Sequence, residues 1–365
     1  MVAATRVGYA VTAIDAFADK QTVELAEATI VVKYDSDGFD ADALLAAIGK
    51  LDARQYLGFV YGSGFEAQPA LLRKVAEIIP LIGNSAATVS AVKAPDVFFA
   101  VLENCNIRYP ELYDTLPANF ESAAYLRKLV GGCGGTHISI ADANCVLQSG
   151  NYYYQQLIDG RSVSMLFVAN AHHIEVIGFN EQWLSPTEKL PFRYGGAVGN
   201  VALSQRTQQQ LIEAAEKLTI EFGLIGLNSL DVVVSGNVAY VLEINSRLSA
   251  TFGLYEDNLI DIHIKACLEG ALPKREHIQQ ANEANLRSNA HAIVYAATGL
   301  EVSTTFEWPD WVVDTFQSVK QQKTINILVG EPVCTVLSSA DNANEAKRLA
   351  HTRVEKVQQL LQQNA

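Results

Sequence analysis

A hairpin near the middle of the chain carries acidic and amide side chains that could hold a divalent cation. Residues 227–251 read LNSLDVVVSGNVAYVLEINSRLSAT, and the runs Asp231–Val234 and Val238–Ile244 flank the turn sequence Ser-Gly-Asn. Two such runs around a glycine-containing turn predict a β-hairpin. Carboxylate and amide oxygens gathered on one rigid surface are the ligands that Mg²⁺ prefers. The hairpin is therefore a candidate metal site.

The register of this hairpin decides which side chains share a face. We predict a loop of three residues, Ser235 to Asn237, which pairs Asp231 with Val241. Alternation along the strands then gives a core face and a polar face. The predicted core face carries Val232, Val234, Val238, Tyr240, Leu242 and Ile244. The polar face carries the predicted metal ligands Asp231, Glu243 and Asn245. A solvated outer face of an ordinary hairpin would show the same pattern, and the hairpin alone does not separate the two interpretations.

A glycine-rich segment is the second candidate for chemistry. Residues 125–138 read YLRKLVGGCGGTHI, so a predicted strand containing Lys128 runs into four glycines within five residues. Glycines let the backbone close over a ligand and point its N–H groups at phosphate oxygens. Lys128 would add a point charge to the same anion. A tight structural turn is the alternative, because the segment matches neither the P-loop nor the dinucleotide fingerprint. The candidate phosphate-binding residues are Gly131, Gly132, Cys133, Gly134 and Gly135.

The third segment, QQLIDGRSVS at residues 155–164, is on its own only a hairpin with an Asp-Gly turn. In this order, however, the three segments resemble the ATP-grasp superfamily over residues 83–251. The resemblance implies the ATP-grasp fold, with α/β and α+β parts. It implies a parallel α/β domain at residues 1–92, an entry helix and glycine-loop lid at 93–159, and a catalytic α+β domain with a β-rich extension at 160–365. Only six residues precede the first predicted strand, so we expect the first βα unit of the family's N-terminal domain to be missing or degenerate.

The resemblance also implies an activity, which is the ATP-dependent joining of a carboxylate to an amine. The reaction passes through an acyl phosphate and releases ADP and phosphate. ATP and Mg²⁺ are the implied cofactors, with one or two ions and with Mn²⁺ as a substitute. The implied partners are small-molecule carboxylate and amine substrates, and a homodimer is left open.

Single residues receive roles from the same resemblance. Lys93 and Lys128 match the family's phosphate-binding lysines, and Arg247 matches its acyl-phosphate arginine. The metal ligands coincide with Asp231, Glu243 and Asn245. The hinge that binds adenine through its backbone aligns with Gln155, Gln156, Leu157 and Ile158. Arg193, in PFRYGGAVGN, is a further candidate for a substrate or phosphate contact. The catalytic set is thus Arg247, Lys128 and Arg193.

Two positions depart from the family pattern. Gln156 stands where many members carry an acid that holds the ribose, and Ser246 stands where proline is common. Residues 160–183, 191–200, 307–316 and 330–339 resemble a subgroup linked to one-carbon carrier (methanofuran-type) cofactor biosynthesis. That subgroup implies glutamate as the acid, for which Arg161 and Arg193 are the available cations.

Two other classes of function remain open. One is a catalytically inactive nucleotide-binding regulatory or structural protein of the same fold. The presence of Lys128, Asp231, Glu243, Asn245 and Arg247 together favours the enzyme. The other is a Rossmann-type oxidoreductase, against which the missing glycine fingerprint near residue 10 argues.

Composition narrows the classes further. The chain has 365 residues, enough for two or three domains, and its 40 acidic against 27 basic residues give a net charge of −13. Such a charge disfavours nucleic acids and anionic membranes as partners. Five scattered cysteines without a C-x-x-C pair argue against a disulfide framework and a zinc site. No apolar run is long enough for a membrane span and no signal peptide is recognisable, so we expect a cytoplasmic protein.

The elements that must position these residues follow from periodicity and turn signals. Strands and helices alternate in the first 92 residues, which predicts a parallel sheet covered by helices. The predicted strands are Val7–Ile14, Ala28–Val32, Tyr56–Tyr61, Pro80–Ile82, Tyr125–Lys128, His137–Ala141, Asn151–Leu157, Ser162–Val168, Ile174–Asn180, Ala290–Ala296, Ile325–Val329 and Cys334–Ser338. The predicted helices are Thr22–Ala28, Ala41–Leu51, Pro69–Ile79, Ala94–Leu102, Thr207–Phe222 and Asn342–Gln362.

Overall fold

The computed structural model describes residues 1–35, 38–116, 120–121, 124–142, 151–255, 258–274, 287–316 and 324–363. Cys145 lies outside these residues, and the other four cysteines carry free thiols. No helix within these ranges is long and apolar enough to cross a bilayer.

The N-terminal region contains short strands covered by helices. Its elements are α1 (Val2–Arg6), β1 (Thr12–Asp15), α2 (Lys20–Leu25), β2 (Ala28–Val31), β3 (Tyr34–Asp35), β4 (Gly38–Phe39), α3 (Ala41–Ile48), α4 (Pro69–Ile78) and α5 (Ala86–Lys93). Strands β1 and β2 pair in parallel, as the alternation of elements predicts. The apolar faces of α3 and α4 form the core of this region.

Three predicted strands of this region are wrong in extent. The strand predicted at Val7–Ile14 begins only at Thr12, and the residues just before Val7 form the helix α1. The strands predicted at 56–61 and 80–82 reduce to a single parallel bridge between Phe59 and Leu81. The reason is that only the Phe59 main chain bonds this neighbour, with Phe59 N donating to Pro80 O at 2.8 Å and Ile82 N donating to Phe59 O at 2.9 Å.

A four-stranded antiparallel sheet follows helix α6 (Pro95–Asn104). Its strands are β5 (Leu112–Tyr113), β6 (Tyr125–Leu129), β7 (Ile138–Ile140) and β8 (Tyr152–Gln156), in the order β5-β8-β6-β7. Lys128 lies opposite Tyr153, and Leu126 lies opposite Gln155. Because side chains alternate, Lys128 and Gln155 project from the same face, whereas Gln156 projects from the other.

The remaining elements comprise an eight-stranded antiparallel sheet, a separate two-stranded sheet and the helices beside them. In chain order these elements are β9 (Arg161–Asn170), β10 (Ile174–Leu184), β11 (Tyr194–Val198), α7 (Gln205–Phe222), β12 (Ile225–Ser235), β13 (Val238–Asn245), α8 (Leu259–Glu269), β14 (Ser288–Tyr295), β15 (Leu300–Ser303), β16 (Val312–Val313), β17 (Thr324–Ile327), β18 (Pro332–Ala340) and α9 (Ala343–Gln363). The large sheet has the strand order β13-β12-β9-β10-β11-β14-β18-β16, and β15 pairs with β17. Helices α6 and α7 cover one face beside β12 and β13, and α8 covers the other.

The predicted helix over 207–222 is confirmed and begins two residues earlier, at Gln205. Ser204 caps its first turn by accepting a hydrogen bond from Thr207 N at 3.1 Å. Gly223 ends it with a φ of +61°, a left-handed conformation that glycine adopts at little cost.

The β12–β13 hairpin differs from prediction in its register. The turn holds two residues, so that Ser235 pairs with Val238 and Val232 pairs with Val241. An irregularity between Asp231 and Val232 then restores the phase, and Asp231 lies directly opposite Glu243 instead of Val241. Ala239 and Val241 therefore join the core cluster, in place of the predicted Val238, Tyr240 and Leu242. The polar face with Asp231 and Glu243 is nevertheless preserved.

A buried histidine on α8 links the N-terminal region to the large sheet. His263 Nδ1 accepts a hydrogen bond from Leu227 N at 2.9 Å, so its Nε2, 3.0 Å from Ile82 O, carries the proton. The bond from Leu227 N requires an unprotonated Nδ1 and therefore the neutral ring. Burial accordingly lowers the pKa of His263 to about 4.

This depressed pKa predicts a loss of stability in mild acid. The neutral form is favoured in the folded protein, so its contribution is complete above pH 6.5 and is lost as the pH falls from about 6.5 to about 4, by about 3 kcal/mol in total. We expect urea unfolding between pH 7.5 and 4.5 to show a smaller pH dependence for H263Q than for wild type. The exposed-ring variant H172Q serves as the control and should keep the wild-type pH dependence. Identical slopes for H263Q and wild type would contradict this role.

Candidate active site

The predicted metal ligands lie together at the base of the β12–β13 hairpin. Asn245 Nδ2 donates to Asp231 Oδ2 at 3.0 Å, and Glu243 is directly opposite Asp231 across the two strands. Ser229 Oγ donates to Asp231 Oδ1 at 3.2 Å. We call Asp231, Glu243 and Asn245 the carboxylate cluster. Two carboxylates and an amide on adjacent rigid strands are suited to hold a cation.

Lys93, the last residue of α5, contributes a positive charge to the carboxylate cluster. Its Nζ donates to Glu243 Oε2 at 2.7 Å and to Asn245 Oδ1 at 3.2 Å. The lysine side chain is 8% exposed and that of Glu243 is 33% exposed, so this ion pair is shielded from bulk water. The sequence prediction that Lys93 belongs to the phosphate-binding set thus agrees with its position, although its role stays a prediction.

The two carboxylates differ in their ionisation. Burial and the nearby Glu243 charge raise the pKa of Asp231. Burial also opposes ionisation of Glu243, but Lys93 and further cations outweigh it and lower the pKa of that carboxyl. One acid is stabilised as an anion while its neighbour is not, as expected for like charges at close range.

Arg247 approaches the same cluster from the chain that follows β13. Its Nη2 donates to Asn245 Oδ1 at 3.4 Å, and its Nε donates to Glu66 Oε1 at 2.6 Å. The Arg247 and Glu66 side chains are only 10% and 3% exposed. Burial would lower the pKa of Arg247, but Glu66 outweighs it and raises that pKa. The guanidinium therefore stays charged at the edge of the cluster.

Lys128 lies on β6 of the four-stranded sheet and projects towards these groups. It is buried, and this burial lowers its pKa to about 8, although Glu243 acts in the opposite direction. His137, at the end of the glycine segment, also lies within electrostatic reach of Glu243, and burial lowers its pKa. The structure thus brings Lys93, Lys128, Arg247 and the carboxylate cluster together around one site.

The glycine loop, residues 131–135, is docked against the segment that leads into β11. Tyr194 N donates to Gly134 O at 3.0 Å. Gly134 and Gly135 both have left-handed backbones, with φ of +65° and +73°. A Cβ atom on Gly135 would overlap the carbonyl oxygen of Phe192, whereas one on Gly134 would meet nothing within 4 Å.

These two glycines provide a matched pair of variants for testing the loop. Both G134A and G135A should suffer the left-handed strain of about 1–2 kcal/mol, because both carry a Cβ at positive φ. Only G135A should also displace the loop from Phe192. We therefore expect ATP-dependent product formation to fall about 10-fold further in G135A than in G134A, which corresponds to about 1.4 kcal/mol. Equal activities of the two variants would show that this contact is dispensable.

Two backbone N–H groups of the predicted hinge, residues 155–158, already donate hydrogen bonds within the protein. Gln156 N donates to Glu111 O and Leu157 N donates to Ala124 O, each at 2.8 Å. Gln155 is fully buried, and within the described residues neither polar atom of its side chain has a hydrogen-bond partner. The adenine-binding role of residues 155–158 stays a prediction, and the Leu157 N–H could serve it only by releasing Ala124 O.

Arg193 is not brought to the carboxylate cluster. Its Nε donates to Ser185 O at 2.9 Å, its Nη1 donates to Gly330 O at 3.2 Å, and its guanidinium stacks 3.6 Å from the Tyr295 ring centre. These contacts tie the β10–β11 connection to the C-terminal strands. The predicted catalytic role of Arg193 is untested, and its present contacts are structural. Arg161 is likewise engaged, by Glu181.

Two site residues were not found from sequence. Glu66 holds Arg247 from 181 positions away, and Gln182 Nε2 donates to Asp231 Oδ1 at 3.4 Å from β10. The available signal for Glu66 was an acid in the glycine-containing segment GSGFE after a predicted strand. Gln182 sits in a strand whose register with its neighbours was not predicted.

The residues present fit a magnesium ion. The Lys93 ammonium already lies on Glu243 Oε2 and Asn245 Oδ1, which shows that these oxygens are turned towards a positive charge. Oxygen donors from two carboxylates and an amide match the preference of Mg²⁺. Asp231, Glu243 and Asn245 would hold it.

Comparison with known proteins agrees with this geometry. Residues 97–251 match the family described as ATP-grasp domain. The matched residues include most of α6, the four-stranded sheet, the glycine loop and the hairpin with the carboxylate cluster. The chain as a whole has the ATP-grasp fold.

Relatives of the ATP-grasp domain include several ligases and carboxylases. The chain is 26% identical over 186 residues to a tyramine–L-glutamate ligase of Methanocaldococcus jannaschii, a match that covers 50% of this chain and 53% of the relative. The chain thus spans about half the length of this curated relative. An L-amino acid ligase from Bacillus licheniformis has a TM-score of 0.69 at 14% identity, covering 97% of this chain and 93% of that one.

A further structural neighbour of the ATP-grasp fold is the biotin carboxylase domain of 2-oxoglutarate carboxylase from Hydrogenobacter thermophilus. It has a TM-score of 0.69 at 12% identity, and the match covers 95% of this chain and 85% of that one. That structure was solved as a dimer in complex with MgADP, ADP and bicarbonate.

Proposed function

We propose that this protein is an ATP-dependent, ADP-forming ligase that joins a carboxylate to an amine. The observation that supports it most is the convergence of Lys93, Lys128 and Arg247 on the carboxylate cluster, next to a glycine loop. Such an arrangement can bind a polyphosphate and stabilise the negative charge that develops during phosphoryl transfer.

In the proposed reaction, an oxygen of the substrate carboxylate attacks the γ-phosphorus of ATP and the bond to ADP breaks. The amine nitrogen then attacks the acyl carbon, phosphate leaves, and the amine proton passes to solvent or phosphate. Lys93, Lys128 and Arg247 bind and neutralise the phosphate oxygens, which otherwise repel the incoming carboxylate. The glycine loop excludes water, because water would hydrolyse the acyl phosphate. Mg²⁺, when bound, supplies additional positive charge at the phosphates.

We further propose glutamate as the acid and a small primary amine as its partner. The support is the similarity to the tyramine–L-glutamate ligase, together with the resemblance of the flanking segments to enzymes of one-carbon carrier biosynthesis. The arginines that would bind a second carboxylate, Arg161 and Arg193, are engaged by protein groups in this structure. Glutamate recognition would need one of them to exchange its partner.

The test is to incubate the protein with ATP, Mg²⁺, glutamate and tyramine, and to identify all products by mass spectrometry. An amide together with ADP and phosphate supports the proposal. AMP and pyrophosphate would exclude the acyl-phosphate route. Turnover with a neutral amino acid but not with glutamate or aspartate would reject the acidic substrate and retain the ligase. ATP binding without turnover of any acid and amine pair would favour the inactive nucleotide-binding alternative.

A further inference from the structure

The Lys93 ammonium lies on two oxygen atoms of the carboxylate cluster. Its Nζ is 2.7 Å from Glu243 Oε2 and 3.2 Å from Asn245 Oδ1. The lysine side chain is 8% exposed, so bulk water screens these contacts only weakly. A Mg²⁺ ion binds oxygen at about 2.1 Å, so an ion on Glu243 Oε2 would lie within about 5 Å of the Lys93 Nζ. The two cations would thus compete for the same place.

The hydrogen bonds of Asn245 fix which end of its amide faces a cation. Its Nδ2 donates to Asp231 Oδ2 at 3.0 Å and to Glu243 Oε1 at 3.5 Å. Its Oδ1 accepts from Lys93 and from Arg247. The opposite orientation of the amide would turn its N–H groups towards two cations, which only donate. The Asn245 oxygen therefore points to the side of the cluster on which Lys93 lies.

The remaining oxygens of the cluster accept hydrogen bonds from neutral groups. Asp231 Oδ1 accepts from Ser229 Oγ at 3.2 Å and from Gln182 Nε2 at 3.4 Å. Asp231 Oδ2 and Glu243 Oε1 accept from the Asn245 amide. Among the described residues, Glu243 Oε2 and Asn245 Oδ1 are thus the cluster oxygens that cations already contact. They are the pair that a metal ion on the Asn245 oxygen side would use.

Lys93 and Arg247 are held in different ways. Arg247 Nε donates to Glu66 Oε1 at 2.6 Å and its Nη1 donates to Leu248 O at 3.0 Å, so groups outside the cluster fix the guanidinium. In the part of the chain that the structure describes, the Lys93 Nζ has hydrogen bonds only to the two cluster oxygens. Its stem is also flexible. Lys93 is therefore the cation that can leave when another one arrives.

We infer that Lys93 is an intramolecular competitor of the divalent cation for Glu243 Oε2 and Asn245 Oδ1. A metal ion binds these two oxygens only when the ammonium moves away, because two positive charges this close repel each other strongly when they are shielded from water. Free metal ion therefore binds weakly to the protein. The inference rests on the metal site of the proposed function and adds what controls access to it.

A phosphate group would relieve this competition. Lys93 and Glu243 line one small cavity together with Gly131 and Gly132 of the glycine loop. An anion held by this loop would lie beside the ammonium and attract it away from the cluster. Phosphate binding then frees two oxygens for the metal, and metal binding frees Lys93 for the phosphate. Because such coupling is reciprocal, the metal and the nucleotide bind cooperatively.

The experiment measures the binding of Mn²⁺ to the protein without nucleotide or substrates, by electron paramagnetic resonance of the free ion. The variant K93M removes the ammonium and keeps a long, flexible side chain. We expect the Kd of K93M for Mn²⁺ to be at least about 10-fold lower than that of wild type. The double variant K93M/E243Q should lose this gain, which assigns the bound ion to the cluster.

The variant K128M is the matched control. Lys128 is buried and projects towards the same cluster, but among the described residues it has no hydrogen bond to Glu243 or Asn245. K128M removes the same charge without vacating the two oxygens. It should lower the Kd for Mn²⁺ by at most about 3-fold, as expected for a nearby charge that is not in contact.

A second measurement covers the case in which K93M folds poorly, since this variant leaves Glu243 without its counter-charge. A metal ion that takes the place of the ammonium should restore the lost stability. We expect about 5 mM Mg²⁺ to raise the urea midpoint of K93M clearly more than those of wild type and K93M/E243Q.

Each of three results would overturn the inference. One is a Kd for Mn²⁺ that is no lower in K93M than in wild type, including the lack of binding to both up to about 10 mM, well above the Kd of weak divalent-cation sites. Another is an equal gain in K128M and K93M, which would reduce the effect to general electrostatics. The third is a urea midpoint of K93M that Mg²⁺ does not raise. Expected metal binding without any amide product would instead reject the proposed ligase and retain the competition.

Discussion

The variant E243Q is expected to lower ATP-dependent product formation by about 100-fold or more. Glutamine keeps the shape of the side chain but removes the charge that pairs with Lys93 and that would bind a divalent cation. ATP binding to E243Q should also lose most of its dependence on Mg²⁺. Product formation followed by mass spectrometry and ATP binding with and without Mg²⁺ measure the two effects.

The control for E243Q removes a carboxylate elsewhere in the chain. Glu301 lies on β15 and accepts a hydrogen bond from Thr324 at 2.7 Å, in a separate two-stranded sheet. E301Q should retain wild-type activity and Mg²⁺ dependence. If E243Q and E301Q show the same Mg²⁺ dependence of ATP binding as wild type, the assignment of Glu243 to the metal site is wrong.

The variant E66Q is expected to destabilise the protein by about 3 kcal/mol, because it leaves the buried Arg247 without its counter-charge. The Glu66 carboxylate also accepts a hydrogen bond from Gly64 N at 2.8 Å, so the loop that carries it should loosen as well. Burial by itself would raise the pKa of Glu66. The Arg247 charge outweighs this effect and lowers that pKa, so Glu66 stays ionised beside Arg247. Urea unfolding at pH 7.5 measures the effect.

The double variant E66Q/R247Q separates the loss of the ion pair from the burial of one unpaired charge. Since both charges are absent, its free energy of unfolding should exceed that of E66Q. Both variants should lose activity, because Arg247 is then either misplaced or missing. A double variant less stable than E66Q would mean that Arg247 contributes to stability independently of Glu66.

Local patterns allowed most elements of the site to be predicted. The hairpin, the glycine loop, strands β6 to β8 and helix α7 each carry their own periodicity, turn residues or caps, so their existence follows from neighbouring residues. The β14 and β18 strands and the closing helix α9 were predicted to within three residues for the same reason. Contacts between distant segments were not predictable, and the Glu66–Arg247 pair is the clearest case, because no local pattern selects its partner.

The hairpin shows how a correct face can follow from an incorrect register. The three-residue loop assumed from Ser-Gly-Asn shifts the pairing by one residue relative to the observed two-residue turn. The irregularity beside Asp231 shifts it by one residue again. Because the side-chain period of a strand is two, the two shifts together leave Asp231, Glu243 and Asn245 on one face. The residues between the two shifts, Ala239 and Val241, are those assigned to the wrong face.

Because of the same irregularity, two changes in the length of the hairpin can compensate each other. One residue inserted at the tip of the turn would by itself turn Glu243 and Asn245 away from Asp231, if the rest of the ladder stayed as it is. One residue deleted near Leu242, where β13 carries its extra residue, would do the same. The two changes made together would cancel and return both ligands to their face. Loop length at the tip and the bulge beside the ligands can therefore change only as a pair, and a chain of this fold with a longer hairpin tip should be one residue shorter near the position of Leu242.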